Sequence, residues 1–441
     1  MWRDEVVTYD MARRSLPDLW ATLAEVDAVH GLYYLLQHGL FRLFDGADPL
    51  LVLRLPSVLA TAAATGTLVL LGRGLAGPRT GLVAGLVFAL LPPVQRYAQE
   101  GRSYALVCAL VVWASYLLVR AARRRTGGAW AAYGVVVLAA CLLHEFAVLV
   151  LAAHLVALPR TARRTGLLVA LAVCTGLAPL VALSMRQSDQ VAWIGGVGAG
   201  ALIGFAGVTV LGVACAALLR GGGRSRENVG LTALALPLLA LPPLLLLLVS
   251  LVKPLYVDRY VLYGHAGTAL LVGAALDRLV RAVGRIRTLA VLAAGAAVLA
   301  LLPTTLQLRA PQSRTDDVTA IAAAVRSVGG DADGVVFLPS RRRVWTLPDP
   351  RSVRGLRDLA LDRGPVASHT LYGTEVPAAV IRARMLAAAR ILAVGDPAGQ
   401  PVDHVPQEAV KRRVLATYFV ACRTLHALGA RITVYARPGR C

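Results

Sequence analysis

The chain has 441 residues, of which 57% are hydrophobic and 16% charged, with a formal net charge of +21. A soluble domain carries about a quarter charged residues, and runs such as 231–252, uncharged over 22 residues, exclude that class. The positive excess does not mark a nucleic-acid binder. Outside the C-terminal region most arginines stand in short loops between apolar runs, and every basic residue but Lys253 and Lys411 is arginine, a bias that suggests a GC-rich genome.

In chain order, "MWRDEVVTYD" brings Asp4 and Glu5 first. Residues 1–31 lack the apolar core of a signal peptide, so residues 1–50 are expected to form a first outer loop with an acidic motif and an amphipathic helix. A polytopic membrane domain is expected over 51–305, with about eight to ten membrane segments. Its apolar runs are 55–72, 80–94, 104–119, 130–158, 166–184, 198–219, 230–252, 261–277 and 288–304. Arg73 and Arg79, the runs 120–125, 160–164 and 220–226, and then Arg278, Arg281, Arg285 and Arg287 mark cytoplasmic loops by the positive-inside rule.

The run 130–158 has basic loops at both ends, yet its 29 residues are too few for two full spans. It is expected to form two short helices shielded by their neighbours. Its middle, "CLLHEFAV", puts His144 and Glu145 near the outer tip. A carboxylate there is either functional or paired with an arginine that fixes helix packing.

The segments 1–50, 95–103, 185–197, 253–260 and 305–441 then face outward and hold the unusual polar residues. The acids are Asp4, Glu5, Asp27, Glu100 and Glu145, and the cations Arg3, Arg54, Arg96, Arg102, Lys253 and Arg259. Tyr33, Tyr34, Tyr97, Tyr104, Trp193, Tyr256 and Tyr260 supply aromatic rings. Carboxylates beside arginine and tyrosine at a lipid–water boundary suit a substrate with a phosphate head and a lipid tail.

Residues 306–441 read as a small extracytoplasmic α/β domain. Helix-period stretches at 317–328, 376–390 and 406–428 alternate with strand-like runs at 334–339, 390–395 and 431–436, which predicts mostly parallel strands. The arginine-rich stretch 341–359 is expected to be a loop, either a solvated face or a contact for anionic head groups or an acidic acceptor. Cys108, Cys141, Cys174 and Cys215 lie in apolar runs as packed thiols, whereas Cys422 and Cys441 lie in the polar C-terminal region, where a pair between them is the less expected outcome even if that region is outside the cell. Carboxylates able to hold a divalent metal are present, but no ligand spacing demands one, and no cofactor is expected.

"MWRDEVVTYDMARRS", "DAVHGLYYLLQHGLFRLF", "LRLPSVLA", "YAQEGRSYAL" and "KPLYVDRYVL" stand in the order found in glycosyltransferase family 39-like membrane proteins. The chain resembles that group, which has the GT-C fold and includes protein O-mannosyltransferases and aminoarabinose transferases. The likeness covers roughly residues 1–305. It implies an all-α polytopic membrane domain and a sugar donor linked to polyprenyl phosphate, with transfer to a protein, lipid or cell-envelope glycan on the outer side of the plasma membrane. It carries a general base onto Asp4, with Glu5 supporting it, and the family's second acidic site onto Glu100 beside Arg102. His30 matches a histidine that prolines follow in the family; Gly31 stands here for the first of them. Arg259 and Tyr260, with Arg102 and Lys253, become candidates for the donor phosphate and lipid head. Tyr33, Tyr97, Gln99, His144 and Glu145 join His30 and Glu100 as supporting residues. The resemblance also implies a spanning helix ahead of the acidic loop in the natural protein.

A lipid phosphate is already a good leaving group, so one base and cationic phosphate binding would support a single inverting displacement. The competing reading is a lipid or solute transporter that uses the same cavity without catalysis. No internal repeat favours it, and the polar residues gather at one face rather than at mid-membrane.

Overall fold

The computed structural model describes residues 1–188, 194–219, 229–282, 287–330, 332–401 and 403–441. Trp193, the basic run 220–226 and Arg285 lie outside them. The helices run in order as α1 (Arg3–Arg13), α2 (Leu16–Glu25), α3 (Gly31–Leu43), α4 (Pro49–Ala76), α5 (Pro78–Leu90), α6 (Pro92–Tyr97), α7 (Tyr104–Arg124), α8 (Gly127–Leu143) and α9 (Val150–Ala157). Then come α10 (Arg160–Arg186), α11 (Ala199–Leu218), α12 (Leu231–Ser250), α13 (Gly264–Ala282), α14 (Arg287–Arg309), α15 (Val318–Gly329), α16 (Ala378–Ala387) and α17 (Pro406–Tyr418). The chain divides into two compact units, one of 27–33 and 54–309, the other of 1–26, 34–53 and 310–441.

In the helical unit each apolar run forms helix. Among the described residues α4, α7, α10, α11 and α12 are long and apolar enough to cross a membrane, and the protein is a multi-pass membrane protein. Glycines let the helices approach backbone to backbone, since a Cβ on Gly273 would lie 2.6 Å from the Ala84 nitrogen. One on Gly267 would lie 2.3 Å from the Ala235 carbonyl oxygen. Such contact replaces the missing hydrophobic drive between helices in lipid. Where α13 meets α5, the buried Asp277 accepts from Thr80 Oγ1 at 2.6 Å and pairs with Arg281.

The run 130–158 becomes α8 and α9, joined by a 3-10 turn over Glu145–Leu149. Neither glycine nor proline breaks it. At the break His144 adopts an extended backbone (φ −165°, ψ 117°), and the Phe146 carbonyl accepts from the Tyr263 hydroxyl at 3.1 Å. A neighbouring side chain thus satisfies backbone freed from the helix, as apolar surroundings require.

The other unit centres on a five-stranded sheet. Its strands are β1 (Gly334–Leu338), β2 (Arg357–Asp358), β5 (Arg390–Gly395), β6 (Val420–Ala427) and β7 (Ala430–Ala436), and a separate two-stranded ribbon joins β3 (Leu361–Arg363) to β4 (Thr374–Glu375). The order is β2-β1-β5-β7-β6. The first two pairings are parallel and the last two antiparallel, so the sheet is mixed rather than mostly parallel. The expected helix over 406–428 stops at Tyr418, and β6 takes the rest, returning through Gly429 (φ +82°) as a hairpin with β7. Strand alternation gives two cores: Val335, Phe337, Leu392 and Val394 with α15 and Val6 of α1, and Val336, Ile391 and Ala393 with α16 and α17.

The stretch 341–359 is a solvated face only in part: Arg341, Arg351, Arg354 and Arg357 are exposed, but its first turns are not. Arg342, Arg343 and Trp345 are buried within a 3-10 segment over Ser340–Thr346. Arg343 pairs with Asp358 at 2.6 Å and Glu375 at 3.0 Å, while Arg342 pairs with Asp396 at 2.5 Å. Cys422 and Cys441 form a disulfide. Cys108, Cys141 and Cys215 are buried, but Cys174 is exposed on α10; a membrane-facing helix position and a core position look alike in composition.

Candidate functional site

Within the helical unit four separate stretches of chain meet. The first is a turn at Asp27, whose left-handed backbone (φ +62°) is one that aspartate tolerates better than most residues. The turn aims the carboxylate at His30 Nδ1, 2.8 Å away. The second is the loop between α6 and α7. Ser57 of α4 fixes it by donating its hydroxyl to the Glu100 carbonyl (2.6 Å) and the Arg102 carbonyl (3.2 Å). Arg102 Nη2 lies 3.1 Å from His30 Nε2. A guanidinium only donates, so Nε2 is the acceptor, and Nδ1 carries the proton toward Asp27. The residues form a chain of carboxylate, imidazole and guanidinium, with Asp27, Glu100 and Arg102 all buried.

The third stretch is the break after α8, and the fourth the 3-10 turn Asp258–Val261 ahead of α13. The His144 ring packs 4.5 Å from Tyr260, 5.7 Å from Tyr104 and 5.8 Å from His30, centroid to centroid. Phe146 stacks on Tyr260 at 5.2 Å. The Arg259 guanidinium lies 5.4 Å from the Tyr104 ring centre and 5.8 Å from that of Tyr260, a geometry that orients a cation on aromatic faces. His144 Nδ1 is buried without a hydrogen-bond partner among the described residues. The Tyr97 hydroxyl donates to both oxygens of Asp258, at 3.2 and 3.3 Å. Burial first, then the Asp258 and Glu100 carboxylates, push the Tyr97 phenol up from its ordinary value, so it remains a donor. Two guanidiniums beside aromatic rings, one of them oriented through His30 by Asp27, form an arrangement whose chemistry suits an anionic group.

Of the residues singled out in the sequence, His30, Tyr97, Glu100, Arg102, His144, Arg259 and Tyr260 belong to these four stretches. Tyr33 is fully buried one turn after His30. Gln99 folds back to donate to the Gln95 carbonyl at 2.9 Å. Two of the residues are not joined to this cluster. Glu145 accepts from the Ser184 hydroxyl on α10 at 2.7 Å, so its partner there is not an arginine. Lys253 is exposed, and its ammonium makes no hydrogen bond or ion pair among the described residues. Asp258 and Phe146 were missed. The first was hidden inside "VDRY", where arginine and tyrosine drew notice; the second had no signal beyond apolarity.

Asp4 and Glu5 belong to the other unit. Glu5 is fully buried, and its Oε2 accepts from the Trp2 amide at 3.3 Å, capping α1. Asp4 retains 22% of its side-chain exposure, 3.8 Å from Arg3 Nε. The Arg3 amide donates to Asp316 at 2.8 Å, and Trp345 Nε1 donates to the same carboxylate at 3.2 Å. No group of three or more metal-binding side chains is arranged for an ion among the described residues.

Residues 32–186 match the family described as dolichyl-phosphate-mannose-protein mannosyltransferase. The chain is similar to the crystal structure of ArnT from Cupriavidus metallidurans in the apo state. That likeness has 14% identity and a TM-score of 0.61, over 98% of this chain and 92% of that one. It is also similar to ArnT from the same organism bound to undecaprenyl phosphate, with 14% identity and a TM-score of 0.54, over 98% and 95%. No curated protein matches the chain. The chain therefore has the GT-C fold, and across residues 32–186 it carries the pattern of the glycosyltransferase family that its sequence resembles.

Proposed function

We propose that this protein is an integral-membrane glycosyltransferase. It moves a sugar from a polyprenyl-phosphate donor to an acceptor outside the cytoplasm, with inversion at the anomeric carbon. The observation that carries this reading is the meeting of Arg102, Arg259, His144, Tyr104 and Tyr260 at the ends of spanning helices. Two guanidiniums can hold a departing lipid phosphate, and the rings can flank its first prenyl unit. The undecaprenyl phosphate held by one solved relative supports the donor class. The disulfide Cys422–Cys441 supports an oxidising, extracytoplasmic setting for the C-terminal unit.

The base role of Asp4 rests on the family resemblance. Its partial exposure leaves the carboxylate able to take a proton from an acceptor hydroxyl, whereas Glu5 holds α1 in place. As the C–O bond to the sugar forms, the anomeric bond to phosphate breaks, the acceptor proton passes to a carboxylate base, and the lipid phosphate leaves with the bonding electrons. The test is transfer of labelled sugar from polyprenyl-phosphate donors in reconstituted lipid. Wild type transfers and Asp4→Asn does not; failure with every such donor overturns the assignment. A fully active Asp4→Asn would overturn the base alone.

A further inference from the structure

Helix α7 has chemistry at both ends. Its first residue, Tyr104, lies under the Arg259 guanidinium. Its last turns bear Arg120 and Arg123. Its 21 residues at 1.5 Å each separate these ends by about 30 Å, one hydrocarbon core. At the far end, a cavity of about 360 Å³ opens between α7 and the end of α4.

That cavity has a cationic side and an apolar side. Arg73, Arg120 and Arg123 line it, and no carboxylate does. Arg120 is oriented by the Tyr116 hydroxyl at 3.1 Å, with its guanidinium 5.6 Å from the ring centre. Arg123 Nη2 donates to the Gly74 carbonyl at 3.1 Å, tying α7 to α4. The Arg73 side chain makes no hydrogen bond or ion pair among the described residues. Leu70, Leu71 and Val119 form the apolar wall, and Leu70 is 51% exposed on the outside of α4, where a chain could leave toward the bilayer.

We propose that this cleft binds the phosphate of an anionic phospholipid from the leaflet at the far end of α7, with an acyl chain running past Leu70. Loop arginines draw anionic lipid to a membrane protein in general. The cleft adds fixed donors beside an apolar exit, so it selects a lipid rather than a free anion. The site is distinct from the candidate donor seat and does not depend on the proposed activity.

The purified full chain is equilibrated with mixed micelles of equal phosphatidylglycerol and phosphatidylcholine, and retained lipid is counted by native mass spectrometry. Wild type keeps phosphatidylglycerol, R73Q/R120Q retains at least tenfold less, and R79Q/R124Q, which removes as many charges outside the cleft, matches wild type. The single variant Arg73→Gln breaks no described contact, so it tests the cleft without touching the fold, and a several-fold loss is expected. Equal retention by R73Q/R120Q and Arg73→Gln, equal loss in R79Q/R124Q, or equal retention of phosphatidylcholine by wild type overturns the proposal. Displacement by millimolar inorganic phosphate overturns the lipid assignment.

Discussion

His30 joins Asp27 to Arg102: Nδ1 faces the carboxylate at 2.8 Å and Nε2 accepts from the guanidinium at 3.1 Å. The two contacts define one tautomer, because Nε2 must keep a lone pair for a group that can only donate. The imidazole thereby sets the orientation of Arg102.

Replacing Asp27 by asparagine removes the charge that holds this tautomer. The expected result is a loss of about tenfold to a hundredfold in kcat/KM, by analogy with partners that orient reactive groups. His30→Gln, whose amide can still accept from Arg102, retains more activity than His30→Ala. Steady-state transfer kinetics check both; equal losses in the two His30 variants would show that the ring only fills space.

Arg259 lies over two tyrosine rings and is assigned to the donor phosphate. Arg259→Lys keeps the charge but loses the planar fork. Removing a charge-assisted donor to transition-state charge costs roughly 10²-fold in kcat, so Arg259→Gln is expected to fall by about that factor, with Arg259→Lys between it and wild type. Turnover at saturating donor separates this from a change in donor binding.

The C-terminal unit contains a buried ion cluster that no reading of loops or charge runs anticipates. Lys411 is fully buried and donates to Glu408 at 2.7 Å, Glu375 at 3.1 Å and the Phe337 carbonyl at 2.8 Å. Three acceptors around one point suit an ammonium rather than a guanidinium, which accounts for a lysine in a chain where nearly all basic residues are arginine. Lys411→Met leaves the buried Glu408 carboxylate without its cation, while Glu375 keeps Arg343, and is expected to cost about 3–5 kcal/mol. Thermal unfolding of the detergent-solubilised protein, read by the near-ultraviolet signal of buried Trp345, measures the loss.

Burial lifts the Asp316 carboxyl above its ordinary range, although the Arg3 amide, the Arg3 charge and Trp345 act in the opposite direction. The folded state therefore holds this proton to higher pH than the unfolded chain does. Its contribution is complete below the unfolded value of about 4 and is lost as pH rises through the raised folded value. Asp316→Asn removes the titration and keeps one acceptor oxygen, so only one of the two donors, the Arg3 amide on Oδ1 or Trp345 Nε1 on Oδ2, retains its partner. The difference in stability between wild type and Asp316→Asn is expected to change in favour of the variant as pH rises across that window. A pH series of melting temperatures tests this, and a constant difference would refute it.

The membrane character, the apolar runs, the short pair within 130–158 and most residues of the candidate seat follow from composition and spacing alone. Hydrocarbon demands long uncharged helices and leaves few polar positions inside them, so "YAQEGRSY" and "DRY" stand out without any coordinates. Only the tertiary structure decided which of those residues meet. It turned Glu145 to Ser184, left Lys253 outside the cluster, and brought in Asp258 and Phe146. It ended α8 at a sequence with no helix breaker, because the Tyr263 hydroxyl satisfies the Phe146 carbonyl from the turn just ahead of α13. It also made β6 out of residues with helical spacing, since pairing along β7 supplies backbone hydrogen bonds that local propensity cannot foresee. Local rules act over a few residues; a partner more than a hundred positions away is chosen by packing.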